Sequence, residues 1–228
     1  MNFIVLDLEW NQCPTGKPDA ICQLPFEIIE IGAFKLDEML TIKDSFREII
    51  RPQVYRTLHF KTREIISLRS IDLENGRTFP EVIRDFFDWC GSDPCFCTWG
   101  PSDLMELQRN MAYHDIPNTF PFPLMYYDIQ KIFSIRYEDR RTRRSLEFAV
   151  DYLSIPKEVA FHCALSDAHY TSLVMQHMTR YEILENSSVD YFRTPENRKE
   201  EIHIQYPTYT KYVSRPFPSK IQAMKDRV

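Results

Sequence analysis

Residues 3–9 read FIVLDLE, an apolar run that ends in two carboxylates. Side chains two positions apart in a strand leave the same face, so Asp7 and Glu9 are predicted to project side by side from a buried strand. Two such carboxylates resist ionisation unless a cation compensates them, and hard cations such as Mg²⁺ take oxygen ligands. The spacing alone is weak, because a second Asp-x-Glu, at Asp72 and Glu74, lies in a polar segment and is interpreted as solvated surface.

The hydrophobic pattern predicts three strands, at residues 3–9, 26–36 and 41–50, that form an antiparallel meander. A fourth strand is predicted at residues 95–99. Helices are predicted at residues 61–68, 70–75, 81–90, 103–114, 126–133, 145–153 and 167–181, with Ser102 as a cap. Hairpin strands followed by strands that alternate with helices predict an α/β fold, a mixed sheet flanked by helices.

The chain divides into a predicted domain, residues 1–182, and a C-terminal extension, residues 183–228, that is basic and aromatic. From residue 193 onward, eight Lys or Arg stand against four Asp or Glu. Cations interleave there with Tyr206, Tyr209, Tyr212 and Phe217. Two interpretations stay open: a stacking platform for a nucleic-acid strand, or a tail that packs on the domain or on a second subunit.

The composition excludes few classes of function. No stretch reaches the roughly 20 apolar residues that span a bilayer, and the apolar start is expected to be a first strand, not a signal peptide. The six cysteines contain no C-x-x-C pair, which favours free thiols and a cytoplasmic location. The net charge of −5 does not favour nucleic-acid binding. It does not exclude a nuclease, because the carboxylates that bind metal ions in a nuclease also make its net charge more negative.

Two further segments carry candidate catalytic residues. Asp103 follows the predicted strand at residues 95–99, where mixed sheets often place their chemistry, although a first-turn aspartate also suits a helix dipole. His162 is followed five positions later by Asp167, at the start of a predicted helix. No other histidine of the chain has an aspartate at that distance.

The order of these residues resembles the DEDDh exonucleases, which share a ribonuclease-H-like fold. Supporting stretches are residues 27–33 (EIIEIGA), 98–103 (TWGPSD), 128–129 (DI) and 145–150 (SLEFAV). The resemblance spans about residues 1–180. It looks closest to the branch that includes histone-mRNA and small-RNA-processing exonucleases and the bacterial sporulation inhibitor KapD.

The resemblance implies two divalent metal ions, Mg²⁺ or Mn²⁺, and a catalytic set of Asp7, Glu9, Asp103, His162 and Asp167. Asp7 is expected to bridge the ions, with Glu9 and Asp167 on the ion that carries the attacking water. Asp103 is expected in the outer shell of the second ion. An imidazole exchanges protons near neutral pH, so His162 is expected to be the general base.

Two groups of residues are predicted to contact the substrate. The resemblance implies contacts of Leu8, Trp10 and Asn11 with the terminal nucleotide, although Trp10 could equally be a packing residue. Arginines before the predicted helix at residues 145–153 suit phosphate contacts, or form a solvated loop balanced by Glu138 and Asp139. The members of this cluster are Arg136, Arg140, Arg141, Arg143 and Arg144.

The expected function is metal-dependent 3′→5′ exonuclease action on single-stranded nucleic acid, with RNA favoured over DNA and nucleoside 5′-monophosphates as products. The expected partner is a single-stranded RNA or DNA 3′ end, with no membrane. A protein partner or self-association through residues 183–228 stays open. The alternatives are a nucleic-acid-binding or regulatory protein of the same fold, and a nuclease that cuts internally.

Overall fold

A computed structural model of the chain describes residues 2–13, 24–117, 124–178, 183 and 188–190. The strands are β1 (Asn2–Gln12), β2 (Phe26–Leu36), β3 (Ile42–Ile49), β4 (Pro94–Thr98), β5 (Leu124–Asp128) and β6 (Ser188–Asp190). The helices are α1 (Phe60–Ile65), α2 (Ser70–Glu74), α3 (Phe79–Cys90), α4 (Ser102–Tyr113), α5 (Ile129–Tyr137), α6 (Leu146–Tyr152) and α7 (Ala164–Gln176).

The strands form one sheet in the order β3-β2-β1-β4-β5-β6. β1, β2 and β3 pair in antiparallel fashion and form the predicted meander. β2 begins and ends at its predicted residues. β4 lies parallel to β1, and β5 lies parallel to β4. The prediction of a mixed sheet flanked by helices in an α/β fold is confirmed.

β1 is apolar on both of its faces because helices cover both sides of the sheet. Phe3 and Val5 pack in one core cluster with residues of α5, α6 and α7. Ile4, Leu6 and Leu8 pack in a second cluster with residues of α3 and α4. The odd-numbered positions of β1 therefore face α7, and this alternation decides on which side Asp7 and Glu9 emerge.

Two local predictions are wrong. Residues 126–133, which were predicted as one helix, contain the end of β5 and the start of α5. The Asp128 side chain caps α5 by accepting a hydrogen bond from the Lys131 N–H over 2.9 Å. β5 is rich in aromatic residues, which favour a strand, and its parallel pairing with β4 stabilises it. Ser102 is the first residue of α4 and not its cap, a position that Pro101 occupies.

Part of the predicted extension lies outside the described residues, including Arg193 and the aromatic positions from Tyr206 to Phe217. Within it, β6 pairs with β5 at the edge of the sheet. Among the described cysteines, Cys90, Cys95, Cys97 and Cys163 keep free thiols, as predicted. None of the helices in the described ranges has the length and apolar character that a bilayer crossing requires.

Candidate active site

β1 and β2 together present the first part of the site. In their antiparallel pairing, Asp7 stands opposite Gly32 and Glu9 stands opposite Glu30. Residues directly opposite one another in such a pair share a face of the sheet. Two carboxylates of β1 and one of β2 therefore lie on the face that α7 covers.

The first turn of α7 packs directly onto this face because Gly32 has no side chain. A Cβ at Gly32 would lie 2.1 Å from the Leu165 main-chain nitrogen and 2.2 Å from the Ala164 carbonyl carbon, which is well inside contact distance. The close approach brings Asp167 to β1. One carboxylate oxygen from each of Asp7, Glu9 and Asp167 then lies within 4.8 Å of the other two.

Asp103 reaches the site from the opposite helix layer. It lies in the first turn of α4, just after β4, and it is 5% exposed. Its Oδ1 accepts a hydrogen bond from the Leu8 N–H over 3.2 Å, so it is fixed to the β1 backbone between Asp7 and Glu9. Asp103 is not in the group of three close carboxylates, but its charge raises the pKa of Asp7.

Burial, together with repulsion from neighbouring carboxylates, shifts the pKa of all four carboxyl groups upward. For Asp7, burial and then the charges of Asp103 and Asp167 raise the pKa well above its usual value. Burial, followed by the Asp167 charge, raises the pKa of Glu9 to about 8. Burial raises the pKa of Asp103 to about 7, partly offset by the Leu8 N–H. Burial raises the pKa of Asp167 to about 6, partly offset by the His162 N–H.

The donor set fits a divalent cation. The Asp167 Oδ1 is buried and has no hydrogen-bond partner among the described residues. An unpartnered buried oxygen costs free energy, and so do like charges at this separation. A hard cation held by carboxylate oxygens would relieve both costs, since such ions bind oxygen ligands.

His162 lies in the turn that leads into α7 and is exposed. Its main-chain N–H donates to Asp167 Oδ2 over 3.2 Å, which links the two residues that the sequence pattern paired. Its φ is +63°, in the left-handed region that residues other than glycine adopt at a cost on the order of 1–3 kcal/mol. The predicted catalytic set is therefore distributed over β1, the start of α4 and the turn before α7.

Glu30 is a residue at this site to which the sequence analysis assigned no role. It is 1% exposed and accepts hydrogen bonds from Arg47, Cys163 and Ala164. One signal was present: a glutamate stands between Ile29 and Ile31 in the apolar middle of the strand. Such a carboxylate requires partners, but the partners lie far away in the sequence.

The side chains predicted to contact the terminal nucleotide differ in their exposure. Leu8 and Asn11 are buried, and the amide of Asn11 holds the segment after β3 by donating to Tyr55 O over 2.7 Å. The Trp10 ring is half-buried and lies 5.6 Å from the Phe26 ring. Contacts of Leu8, Trp10 and Asn11 with a nucleotide stay a prediction.

The arginine cluster divides into one held residue and several exposed ones. Arg144 Nε donates to Glu138 Oε1 over 3.1 Å, and its guanidinium lies 4.5 Å from the centre of the Phe148 ring. The side chains of Arg140, Arg141 and Arg143 are exposed. Phosphate contact by this cluster stays a prediction.

Comparison with known proteins identifies relatives along most of the chain. Residues 4–175 match a family model described as exonuclease (RNase_T). The 3′-5′ exoribonuclease 1 of Rattus norvegicus is 22% identical over 175 residues, which are 72% of this chain and 49% of the rat protein. The Mus musculus protein of the same name matches equally. The chain thus spans about half the length of the curated relatives it matches.

Two solved structures share the fold. The nuclease domain of 3′hExo, a DEDDh family member bound to rAMP, superposes with a TM-score of 0.66 and 22% identity, over 78% of this chain and 90% of that one. A 3′-exonuclease in a structure of histone mRNA stem-loop recognition gives a TM-score of 0.65 and 18% identity, over 82% and 84%. Because the exonuclease model matches about three quarters of the sequence, the chain belongs to the exonuclease (RNase_T) family, in line with its resemblance to the DEDDh exonucleases.

Proposed function

We propose that the chain is a metal-dependent exonuclease that removes nucleotides one at a time from the 3′ end of single-stranded nucleic acid, with RNA preferred over DNA. The observation that carries the proposal is the convergence of Asp7, Glu9 and Asp167, with a buried Asp167 oxygen that has no partner among the described residues. Three crowded acids of this kind are costly to the fold unless positive charge is bound between them.

The metal-binding set comprises Asp7, Glu9 and Asp167, with Asp103 assisting from the start of α4. Two Mg²⁺ or Mn²⁺ ions bound there would acidify the attacking water and neutralise charge on the scissile phosphate. Asp7 would bridge the two ions in this proposal because it is the central carboxylate. Four neighbouring carboxylates raise its pKa, namely Asp103, Asp167, Glu9 and Glu30. Its central place makes it the residue whose loss disturbs both ions.

His162 is the general base in the proposed reaction. A ring nitrogen of His162 accepts a proton from the attacking water as the new bond to phosphorus forms. The bond between phosphorus and the 3′-oxygen of the preceding nucleotide breaks, and that oxygen takes a proton from solvent and ends as a 3′-hydroxyl. The terminal residue leaves as a nucleoside 5′-monophosphate. The His162 N–H to Asp167 Oδ2 bond supports this role because it ties the base to a metal ligand.

Three points support RNA as the substrate. The rodent relatives are named exoribonucleases, one structural neighbour is bound to rAMP, and another is described with a histone mRNA stem-loop. We extend this preference, and the place in the histone-mRNA and small-RNA branch, to the present chain as part of the proposal. The exposed arginines Arg140, Arg141 and Arg143 suit phosphate contacts behind the terminal nucleotide.

The decisive experiment digests 5′-labelled single-stranded RNA and DNA of the same sequence with Mn²⁺ or Mg²⁺. The proposal predicts a ladder of single-nucleotide steps, faster on RNA, which EDTA abolishes. A circular RNA of the same sequence is the control, because a 3′→5′ exonuclease requires an end. Cleavage of the circle would indicate an internal nuclease, and binding without shortening would indicate the alternative of a nucleic-acid-binding or regulatory protein.

A further inference from the structure

Glu30 is a buried carboxylate outside the proposed metal-binding set, and donors occupy both of its oxygens. Arg47 Nε donates to Oε1 over 2.7 Å, and the Cys163 thiol lies 3.7 Å from the same oxygen. The Ala164 N–H donates to Oε2 over 3.3 Å. Two of these three donors belong to the short segment that joins His162 to Asp167.

The contact with Ala164 performs the task of a helix cap. Ala164 is the first residue of α7, and Cys163, the N-cap residue, makes no capping hydrogen bond with its own side chain. A thiol is a poor acceptor compared with the Ser, Thr, Asp or Asn usual at this position. Glu30, on strand β2, accepts a hydrogen bond from the buried Ala164 N–H instead. The start of α7 is thus fixed to β2 and not only to its own sequence.

Arg47 makes this arrangement compatible with the acidic site. Glu30 stands opposite Glu9, so its negative charge adds to the repulsion among the carboxylates. The guanidinium of Arg47, which is 45% exposed, supplies a positive charge against Glu30 from the adjacent strand β3. The ion pair lets Glu30 act as an acceptor for the turn without leaving a further uncompensated charge beside Glu9.

We propose that Glu30 and Arg47 form a positioning pair that holds the turn of His162 and Cys163, together with the first turn of α7, in its catalytic geometry. Neither residue touches the reacting atoms. His162 has a strained backbone conformation, which persists only where surrounding contacts enforce it. Glu30 supplies such contacts to Cys163 and Ala164, which lie one and two residues after His162. The inference rests on the proposed function, because it assigns to the pair the placement of the general base.

The test compares Arg47→Ala with Arg77→Ala. Arg77 is a matched control because it is 41% exposed and lies 2.7 Å from Asp85, whereas Arg47 is 45% exposed and lies 2.7 Å from Glu30. Arg47→Ala should lower kcat for single-stranded RNA by at least about tenfold with KM changed less than about threefold, since small misplacements of catalytic groups have large effects on rate. Arg77→Ala should leave kcat within about twofold.

Two more variants complete the experiment. Arg47→Lys keeps the positive charge and should recover part of the lost kcat, which a purely structural role would not predict. Glu30→Gln keeps the size of the side chain but loses the charge, and it should lower kcat at least as much as Arg47→Ala. If Glu30→Gln fails to fold, the exposed Arg47 variants still decide the question.

His162→Ala, assayed in parallel, distinguishes a failure of the positioning pair from a failure of the proposed function. If His162→Ala is inactive but Arg47→Ala matches Arg77→Ala, or changes KM alone, the positioning pair is wrong and the proposed function stands. If His162→Ala retains a near-normal rate, the proposed general base is wrong, and the positioning pair has no base to place.

Discussion

The main-chain N–H of Leu8 donates to Asp103 Oδ1 over 3.2 Å and joins the start of α4 to the middle of β1. Leu8 lies between Asp7 and Glu9, so this one bond sets the distance of a fourth carboxylate from the other three. The two residues are 95 positions apart in the sequence. The bond has a structural role and, in our proposal, a catalytic one, and substitutions at Asp103 can separate them.

Asp103→Asn should reduce activity while leaving the fold intact. The asparagine keeps an oxygen that can accept from the Leu8 N–H but removes the negative charge. We expect a loss of about 10–100-fold in kcat, the usual effect of altering an outer ligand shell. Asp103→Leu removes the acceptor as well, so the buried N–H should cost a further 1–3 kcal/mol or so of folding free energy. Urea unfolding with activity assays measures both, and equal stability of the two variants would contradict the structural role.

Substitutions at His162 should affect catalysis and stability differently. His162→Ala and His162→Gly both remove the imidazole, and each should lower kcat by about 10²–10⁴-fold. The φ of +63° suits glycine, so His162→Gly should be more stable than His162→Ala by about 1 kcal/mol. Chemical denaturation compares the two. Normal turnover in either variant would exclude His162 as the base.

Gly32→Ala should disrupt the site through the backbone of α7. The new methyl group would lie 2.1 Å from the Leu165 nitrogen, so the first turn of α7 must move away from β2 and carry Asp167 with it. We expect a loss of activity and of stabilisation by Mn²⁺. Gly91→Ala is the control, because Gly91 has a φ of +83° but no atom within 4 Å of its added Cβ. It should lose about 1 kcal/mol of stability and retain activity.

Without metal, the protein should lose stability as the pH rises from about 4 to 8. Carboxyl groups with a raised pKa hold protons in the folded state that the unfolded chain releases near pH 4. Their stabilising contribution is therefore complete below pH 4 and is lost as the pH rises through the folded pKa values, about 6 for Asp167, 7 for Asp103 and 8 for Glu9. The melting temperature in EDTA, recorded against pH, measures this loss.

Glu9→Gln is the control for the pH dependence because it removes one of the titrating groups. The variant should show a flatter decline of melting temperature between pH 5 and 8 than the wild type. Mn²⁺ should stabilise the wild type more at pH 8 than at pH 5, since it binds the ionised carboxylates. An identical slope in the wild type and in Glu9→Gln would show that Glu9 does not titrate in this range.

Much of the fold could be predicted because the relevant signals are local. The apolar periodicity placed β2 at its observed bounds, and the Asp-x-Glu spacing put Asp7 and Glu9 on one face. The pairing of His162 with Asp167 was also visible, because they are five positions apart and a turn of that length lets the N–H of one reach the carboxylate of the other.

The remaining features depend on contacts between distant segments. Glu30 meets Ala164 across 134 positions, and no spacing rule connects a glutamate in a strand with the start of a helix so far along the chain. The need for Gly32 follows from the same approach of α7 to β2. β5 was missed because a short aromatic strand followed at once by a helix has no clear period of its own.

The most direct test of the proposed metal site is a calorimetric titration of Mn²⁺ into the wild-type protein and into Asp7→Asn at pH 8. We expect the wild type to bind two ions, and we expect Asp7→Asn to fold but to lose both sites or to bind the ions with much lower affinity. Equal binding by the two proteins, or no saturable binding by the wild type, would contradict the claim that Asp7, Glu9 and Asp167 hold the catalytic metal ions.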